Sequence, residues 1–340
     1  MDGPQIHVRS AAAAFPGRPV DNAALARRFG AGGVWEQWVD TFIGTRSRHL
    51  VTDPDTGKAE VTLTDLGAEA GGKALAAAGV EPADVDLLVL ATATPDQLMP
   101  ATAALIADRL GIDGIPVYQL QSGCTGAVQA LDLTRRLLST GAHRTALVLG
   151  GDVCAKHLDF SVDFAKLPPS QQVNFVLFGD GAGAAVLTTE PGPVVLRDAF
   201  VRLVGKGREP GQVVEWFGLT DRDSDRPAVS EDYKAIEEHV PVMAAEIATE
   251  LLERLGWDET ELDFLLPPQL SGRMTGAIVD ALGLVARPVS TVAETGNVGN
   301  AMPFVQIAEV LPLLTPGDRT LGIAVESSKW IKSGFALERL

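Results

Sequence analysis

The sequence predicts an α/β protein in which helices cover a buried parallel or mixed sheet. Segments rich in small and apolar residues at helical spacing alternate along the chain with continuous apolar runs, such as residues 86–94 and 144–150. A continuous apolar run is typical of a strand that is buried on both faces, as in parallel or mixed sheets covered by helices. The alternation of such strands with helices indicates α/β layering.

In the first half of the chain, the predicted strands and helices follow one another closely. Strands are predicted at residues 7–15, 86–94, 116–121, 144–150 and 184–187. Helices are predicted at residues 22–29, 35–43, 63–78 and 101–110, and from the turn after residue 121 to residue 139. Residues 158–172, which include Pro168-Pro169, are predicted to be an irregular active-site loop or dimer contact.

The second half predicts a looser version of the same order. A strand near residues 194–204 and an exposed polar segment at 208–229 precede a long helix at 233–255, which is expected to bend near Pro241. A strand at 263–267, helices at 271–282 and 301–314, and a hairpin of strands at 320–325 and 335–340 complete the chain. The similar order predicts two similar halves, residues 1–190 and 191–340.

The composition of the 340-residue chain is that of a soluble globular protein, with 46% hydrophobic and 21% charged residues. A formal net charge of −16 argues against binding to nucleic acid or to an anionic membrane surface. The two cysteines form no disulfide framework, and the five histidines show no metal-ligand spacing, so we expect no metal. No secretory signal or membrane-length apolar run is present, and the expected location is the cytoplasm.

Cys124 is the first candidate functional residue. It lies in a glycine-flanked turn between a short predicted strand and a long predicted helix. The positive end of a helix dipole favours a thiolate, and a thiolate attacks carbonyl carbons. The alternative is that Cys124 is a small buried hydrophobic residue, since free cysteine is among the most buried residue types.

Several motifs that follow one another in a fixed order allow a comparison with known families. They are Gly-Thr-Arg-Ser-Arg-His at 44–49, Ser-Gly-Cys-Thr-Gly around Cys124, Leu-Val-Leu-Gly-Gly-Asp-Val at 147–153, Phe-Gly-Asp-Gly-Ala-Gly-Ala at 178–184, Asp-Phe-Leu-Leu-Pro-Pro-Gln at 263–269, and Gly296-Asn297. Over nearly its full length the chain resembles the β-ketoacyl-ACP synthase III family. The resemblance implies a thiolase-like five-layered αβαβα sandwich of two similar halves, a homodimer, and no tightly bound cofactor.

The resemblance also implies a catalytic set of cysteine, histidine and asparagine. Cys124 matches the acyl-accepting nucleophile and Asn297 matches the asparagine, but Pro268 stands where the histidine is expected. Proline has no donor and no titratable group. His157 is the best substitute base, although it is alternatively an ordinary loop histidine. The oxyanion hole is expected from the backbone N–H groups of Cys124 and Trp330.

For recognition of the acyl donor, the resemblance points to a few residues far apart in the sequence. Trp38 matches a tryptophan that stacks on the adenine of coenzyme A, although Phe42 replaces the arginine expected after it. Arg273 matches a basic residue that docks the acyl carrier protein, and Arg46 and Arg48 are further candidates. The alternative for these arginines is a solvated surface.

The missing histidine decides the predicted function. Loss of one such hydrogen-bond donor slows a step that develops negative charge by about 100- to 1,000-fold, so decarboxylation of a malonyl thioester is disfavoured. The sequence therefore predicts an acyltransferase of secondary metabolism, as in antibiotic biosynthesis. It would load an acyl group from a coenzyme A or carrier-protein thioester on Cys124 and pass it to a small-molecule amine or hydroxyl acceptor. The alternatives are a decarboxylating ketosynthase and a non-catalytic partner subunit.

Overall fold

The computed structural model describes residues 3–59, 61–216, 221, 223–224 and 226–340. The strands are β1 (His7–Ala14), β2 (Val20–Asp21), β3 (Ser47–Arg48), β4 (Leu87–Thr92), β5 (Val117–Gln121), β6 (Thr145–Asp152), β7 (Gly181–Thr188), β8 (Val194–Leu203), β9 (Gln212–Val214), β10 (Val229–Glu231), β11 (Phe264–Leu266), β12 (Arg287–Pro288), β13 (Arg319–Glu326) and β14 (Ile331–Arg339). The helices are α1 (Asn22–Phe29), α2 (Gly33–Trp38), α3 (Leu63–Ala78), α4 (Thr102–Leu110), α5 (Gly126–Ser139), α6 (Pro169–Leu177), α7 (Tyr233–Leu255), α8 (Gly272–Leu282), α9 (Val292–Thr295) and α10 (Met302–Val310). A single π-helical turn, Val39–Ile43, extends α2.

The two halves of the chain repeat one strand order. In the first half the order is β1-β7-β6-β4-β5, and in the second it is β8-β14-β13-β11-β12. In each, the first three strands are antiparallel neighbours and the last three are parallel neighbours. The two sets meet where β1 pairs with β8 at His7 and Val195, which makes a continuous ten-stranded sheet.

Three apolar cores separate the layers. Helices α5 and α10 lie between the two halves, where Leu131 and Phe304 belong to the same core as Val148 and Phe335. Helices α3 and α4 cover the outer face of the first half, and α7 and α8 cover that of the second. The layer order is therefore helix, sheet, helix, sheet, helix, which confirms the predicted αβαβα sandwich.

Several predicted elements agree closely with the structure and one does not. Helix α3 spans the predicted residues and begins with a capping box in which Thr62 and Asp65 each bind the other's backbone N–H. Helix α7 runs through Pro241 as one continuous helix. The prediction that 158–172 is irregular throughout was wrong, because α6 begins at Pro169. Proline suits the first helical position, where no N–H partner is needed.

The predicted excursion at 208–229 contains β9 and the first residue of β10, and these two strands pair antiparallel. Part of it, residues 217–220, 222 and 225, lies outside the described residues. Among the helices of the described chain, none is at once long and apolar enough to cross a membrane. Within the same residues no cluster of three or more His, Cys, Asp or Glu side chains is arranged to hold a metal ion.

Candidate active site

Cys124 lies in the turn that joins β5 to α5, and Asn300 holds this turn in place. Asn300 Nδ2 donates to the Ser122 carbonyl at 2.9 Å, and its Oδ1 accepts from the Ala127 N–H at 3.0 Å. A Cβ on Gly126 would come within 2.4 Å of Asn300 Oδ1, so this position requires glycine. The cysteine turn is thus fixed by an amide from the second half of the chain.

Asp152, at the end of β6, fixes Asn300 in turn. Its Oδ2 accepts from the backbone N–H and the Nδ2 of Asn300, at 2.8 and 2.9 Å. Its Oδ1 accepts from the Ala93 N–H at 2.7 Å and from the hydroxyl groups of Thr92 and Thr94, both at 3.1 Å. The carboxylate is 2% exposed and connects the ends of two strands to the cysteine turn.

A second buried carboxylate, Glu326, lies against the same turn. Its Oε2 accepts from the Ser122 hydroxyl at 2.9 Å and from the Thr125 hydroxyl at 2.6 Å, while Oε1 accepts from the Ser328 hydroxyl. A Cβ on Gly123 would come within 3.0 Å of the Glu326 carboxyl carbon. Glu326 therefore sits directly behind the nucleophile.

These carboxylates change the electrostatics of Cys124. Burial, together with the negative charges of Glu326, Asp152 and Glu231, raises the pKa of the Cys124 thiol to about 12. Burial and the three carboxylates therefore oppose the helix end, which by itself favours the thiolate. The resting cysteine is a thiol, and its proton must leave during acylation.

A Glu326→Gln substitution is expected to lower the pKa of Cys124 and to speed its alkylation by iodoacetamide. Removal of one negative charge beside the sulfur favours the thiolate, and each unit by which the pKa falls raises the thiolate fraction about tenfold. The measurement is the alkylation rate of Cys124 from pH 7 to 10 by intact-protein mass. An Asp132→Asn variant, at an exposed ion pair on the same helix, is the control and should match the wild type. Unchanged or slower alkylation of Glu326→Gln would refute the argument.

Cys124 opens onto three cavities, which we name by a characteristic side chain. The proline cavity is also lined by Pro268, Gln269, Asn297 and Gln306. The histidine cavity is lined by Cys154, His157, Asn174 and Val214. The glutamate cavity is lined by Glu231, Tyr233, Gln212 and Asn297.

Asn297 borders two of these cavities together with Cys124. Its backbone is fixed by hydrogen bonds to Leu177 and Gly179, at 2.9 and 3.0 Å. Its Oδ1 accepts from the Gly299 N–H at 3.1 Å, which leaves the Nδ2 group to donate to a substrate. The structure therefore brings Asn297 and Cys124 together as predicted partners.

Pro268 lines the proline cavity with Cys124 and Asn297. The neighbouring amides are already engaged: Gln269 and Gln306 both donate to the Val289 carbonyl, at 3.3 and 3.0 Å. Gln306 Nε2 also donates to the Pro267 carbonyl at 3.0 Å, whereas Asn297 Nδ2 donates to none of the described residues and is open to a substrate oxygen. The described residues that line this cavity include three amides and no imidazole.

His157 lies in the histidine cavity with Cys124. Its Nε2 is buried and has no hydrogen-bond partner among the described residues. Burial, and secondarily the charge of Lys156, lowers the pKa of His157 to about 4, so the ring is neutral at pH 7. A neutral imidazole in the nucleophile's cavity suits the role of base, which stays a prediction for this residue.

The structure does not bring Trp330 to Cys124. Its backbone has φ of 59°, its ring is 2% exposed, and Nε1 donates to the Glu209 carbonyl at 2.7 Å. Among the described residues lining the three cavities, this hairpin contributes Val325 and Ser327 instead. Trp330 anchors the segment that precedes β9, and the expected oxyanion-hole role gains no support.

Trp38 and Arg273 meet on the surface through Phe42. The Trp38 and Phe42 rings lie 6.4 Å apart, and the Arg273 guanidinium lies 5.8 Å from the Phe42 ring centre. Phe42 is 51% exposed. The two predicted carrier-binding residues, Trp38 and Arg273, therefore form one aromatic and basic patch. Phe42, which replaces the expected arginine, lies between them.

The other two arginines differ from each other. Arg46 is exposed and forms an ion pair with Glu294. Arg48 is completely buried and donates to the carbonyls of Val20 and Val176, at 3.1 and 2.8 Å, and burial lowers its pKa to about 10. The prediction that Arg48 contacts an anionic carrier was wrong, because its guanidinium is enclosed among backbone carbonyls.

Sequence reasoning missed Asp152, Asn300 and Glu231 as members of the site. Asp152 ends an apolar strand and Asn300 lies three residues after the predicted catalytic residue Asn297, so both carried a detectable signal. Glu231 lies in a polar segment with no local signal.

Comparison with known proteins agrees with this architecture. Residues 118–199 match the family model described as 3-oxoacyl-[acyl-carrier-protein] synthase III. A β-ketoacyl-[acyl-carrier-protein] synthase III of Neisseria meningitidis serogroup B is 28% identical over 295 residues, 84% of each chain. The structure titled AbyA1, tetronic acid condensing enzyme, is 61% identical with a TM-score of 0.96 over 98% of this chain and 99% of that one. The FabH structure from Pseudomonas aeruginosa PAO1 is 27% identical with a TM-score of 0.84 over 98% of each chain.

The duplicated sandwich, with a cysteine at the start of a central helix, defines an enzyme of the thiolase fold. The family model at residues 118–199, the synthase III relatives and the likeness to AbyA1 over nearly the whole chain agree on the family. This chain belongs to the β-ketoacyl-ACP synthase III family.

Proposed function

We propose that this protein is an acyltransferase-type condensing enzyme that carries an acyl group on Cys124 and passes it to a hydroxyl group. The acyl donor is a thioester of acyl carrier protein or coenzyme A, and the acceptor is a small hydroxyacyl thioester. AbyA1, which is 61% identical, is titled a tetronic acid condensing enzyme. A tetronic acid ring contains one ester bond and an enolised 1,3-dicarbonyl unit, both of which such a condensation would form.

The observation that carries the proposal is the lining of the proline cavity. Cys124 and Asn297 line it together with Pro268, and the Gln269 and Gln306 amides both donate to the Val289 carbonyl. An amide alone is a poor site for decarboxylation, because the malonyl oxygen that gains charge needs strong donors. Transfer of the acyl group to oxygen needs no decarboxylation.

A 3-oxoacyl donor and a 2-hydroxyacyl acceptor would form the ring in two steps, each of which releases one thiol. The acceptor hydroxyl attacks the acyl-Cys124 carbonyl, the carbon–sulfur bond breaks, and the hydroxyl proton returns to the cysteine sulfur. The carbon between the two carbonyls of the 3-oxoacyl group then attacks the acceptor thioester carbonyl. That step expels the acceptor thiol, which takes the proton from the attacking carbon. A carbon flanked by two carbonyls forms a stabilised enolate, so no carbon dioxide is lost.

The surface patch of Trp38, Phe42 and Arg273 supports a carrier-borne donor. An arginine held over an aromatic ring offers a cation to a phosphate or to an acidic carrier surface, and the exposed ring offers an apolar contact. We propose that the donor's phosphopantetheine or nucleotide end docks there.

The proposal is tested by intact-protein mass after incubation with a 3-oxoacyl thioester. We expect the wild type to gain the mass of the acyl group, and a Cys124→Ala variant to gain none. Addition of a 2-hydroxyacyl thioester should discharge the acyl group and release a five-membered lactone, while a malonyl thioester should not. Carbon dioxide release that depends on Cys124 and Asn297 would instead establish a decarboxylating synthase. Absence of acylation with every donor would indicate a non-catalytic subunit.

A further inference from the structure

A buried carboxylate beside Cys124 is not used by the steps described so far. Glu231 ends β10 and pairs in register with Gln212 of β9. Asp232 caps α7 by accepting from the Ala235 N–H at 3.0 Å. This geometry sends the Glu231 side chain into the glutamate cavity, which also contains the Cys124 and Asn297 side chains.

The Glu231 carboxylate has one oxygen engaged and one unengaged. Oε1 accepts from Gln212 Nε2. The Tyr233 hydroxyl lies within hydrogen-bonding reach of the same carboxylate, but its one proton is directed to Asn174 Oδ1 at 2.6 Å. Oε2 is buried and accepts no hydrogen bond from the described residues. A buried acceptor without a donor costs about 1–3 kcal/mol, which points to a ligand that supplies the donor.

Glu231 shares a cavity with the reacting sulfur and has no counter-ion among the described residues. No cation of the described chain forms an ion pair with it, and burial raises the pKa of the carboxyl group. Its charge is among those that raise the pKa of Cys124, so the two groups interact electrostatically. A carboxylate that is poorly solvated is a stronger base than one in water.

The other acidic groups near Cys124 lack a free oxygen. The Glu326 carboxylate accepts from three hydroxyl groups, and the Asp152 carboxylate is fully engaged with backbone and side-chain donors. Glu231 lines the glutamate cavity, and Glu326 is not among the described residues that line it. Glu231 therefore has both an open oxygen and access to the cavity.

We propose that Glu231 is the general base for the hydroxyl acceptor, which binds in the glutamate cavity and donates its proton to Oε2 as its oxygen attacks acyl-Cys124. This inference rests on the proposed acyl transfer and deepens it. The oxygen–hydrogen bond breaks as the oxygen–carbon bond forms, and the carbon–sulfur bond breaks next. The proton then passes from Glu231 to the departing sulfur, which regenerates the resting enzyme with an ionised Glu231 and a protonated Cys124. Asn297 Nδ2, in the same cavity, is placed to donate to the acyl oxygen.

The test separates loading of Cys124 from its discharge. A Glu231→Gln variant keeps the size of the side chain and the Oε1 acceptor for Gln212. We expect it to take up the 3-oxoacyl group to the same extent as the wild type, measured by intact-protein mass. Its discharge by a 2-hydroxyacyl thioester should fall by about 100-fold or more, the usual contribution of a general base. Discharge by hydroxylamine, a neutral nucleophile that needs little base assistance, should stay within about threefold of the wild type.

The control is Glu238→Gln, at an exposed carboxylate on the helix α7 that follows Glu231, and it should load and discharge as the wild type does. Transfer of the acyl group to the hydroxyl acceptor at the wild-type rate in Glu231→Gln would overturn the proposal. An equal fall in the rates of transfer to the hydroxyl acceptor and to hydroxylamine, or a loss of loading, would also overturn it. Glu231 would then be a structural residue. Failure of the wild type itself to load would refute the proposed function rather than the role of Glu231.

Discussion

A Pro268→His variant is expected to release carbon dioxide from a malonyl thioester about 100- to 1,000-fold faster than the wild type, once Cys124 is acylated. The reason is that Pro268 faces Cys124 and Asn297 across one cavity and supplies no donor to it. An imidazole there would join the Asn297 amide at the oxygen that gains negative charge. The measurement is carbon dioxide release under single-turnover conditions.

A Pro268→Ala variant is the matched control, because it removes the ring without adding a donor. It should decarboxylate no faster than the wild type. Equal gains in the alanine and histidine variants would mean that space, rather than a hydrogen bond, limits the wild type. The Pro268 carbonyl accepts from the Thr275 hydroxyl at 2.9 Å, and both variants keep this contact.

An Asp152→Ala substitution is expected to lower the free energy of unfolding by about 4 kcal/mol, since several buried donors lose their acceptor and each costs about 1–3 kcal/mol. The donors that remain are the N–H groups of Ala93 and Asn300 and the threonine hydroxyls around them. Urea unfolding of the purified variant measures the change.

The loss is also expected to reach the active site, because Asp152 positions the Asn300 amide that clamps the cysteine turn. Acylation of Cys124 should therefore slow in the fraction that stays folded. The control is Asp163→Ala, at an exposed ion pair with Lys166, which should change stability by less than about 0.5 kcal/mol. A similar loss in both variants would contradict the role given to the Asp152 network.

Much of the architecture was predictable because it depends on local patterns. The apolar run at β4 and the helix at α3, with its capping box and Gly79 at the end, follow from residues near one another in the sequence. The error at α6 came from reading Pro168-Pro169 as a loop, although proline is favoured at the first position of a helix. Local signals thus give the elements but can mislead at their boundaries.

The electrostatics of the site were not predictable in the same way. The helix-dipole argument for Cys124 used only its own turn. Two of the three carboxylates that raise its pKa, Glu231 and Glu326, lie 107 and 202 positions further along the chain. Pro268 was found because it breaks a family pattern. Glu231 has no such pattern, and only the folded chain brings it to the cysteine.

The protonated state of Cys124 has a consequence for survival of the enzyme in oxidising conditions. Peroxide, like iodoacetamide, reacts with thiolates and hardly with thiols. With burial and three carboxylates raising the pKa of the thiol to about 12, only a minute fraction is ionised at neutral pH. The buried acidic groups therefore protect the nucleophile from conversion to sulfenic acid between turnovers, at the expense of needing a proton acceptor whenever an acyl group arrives.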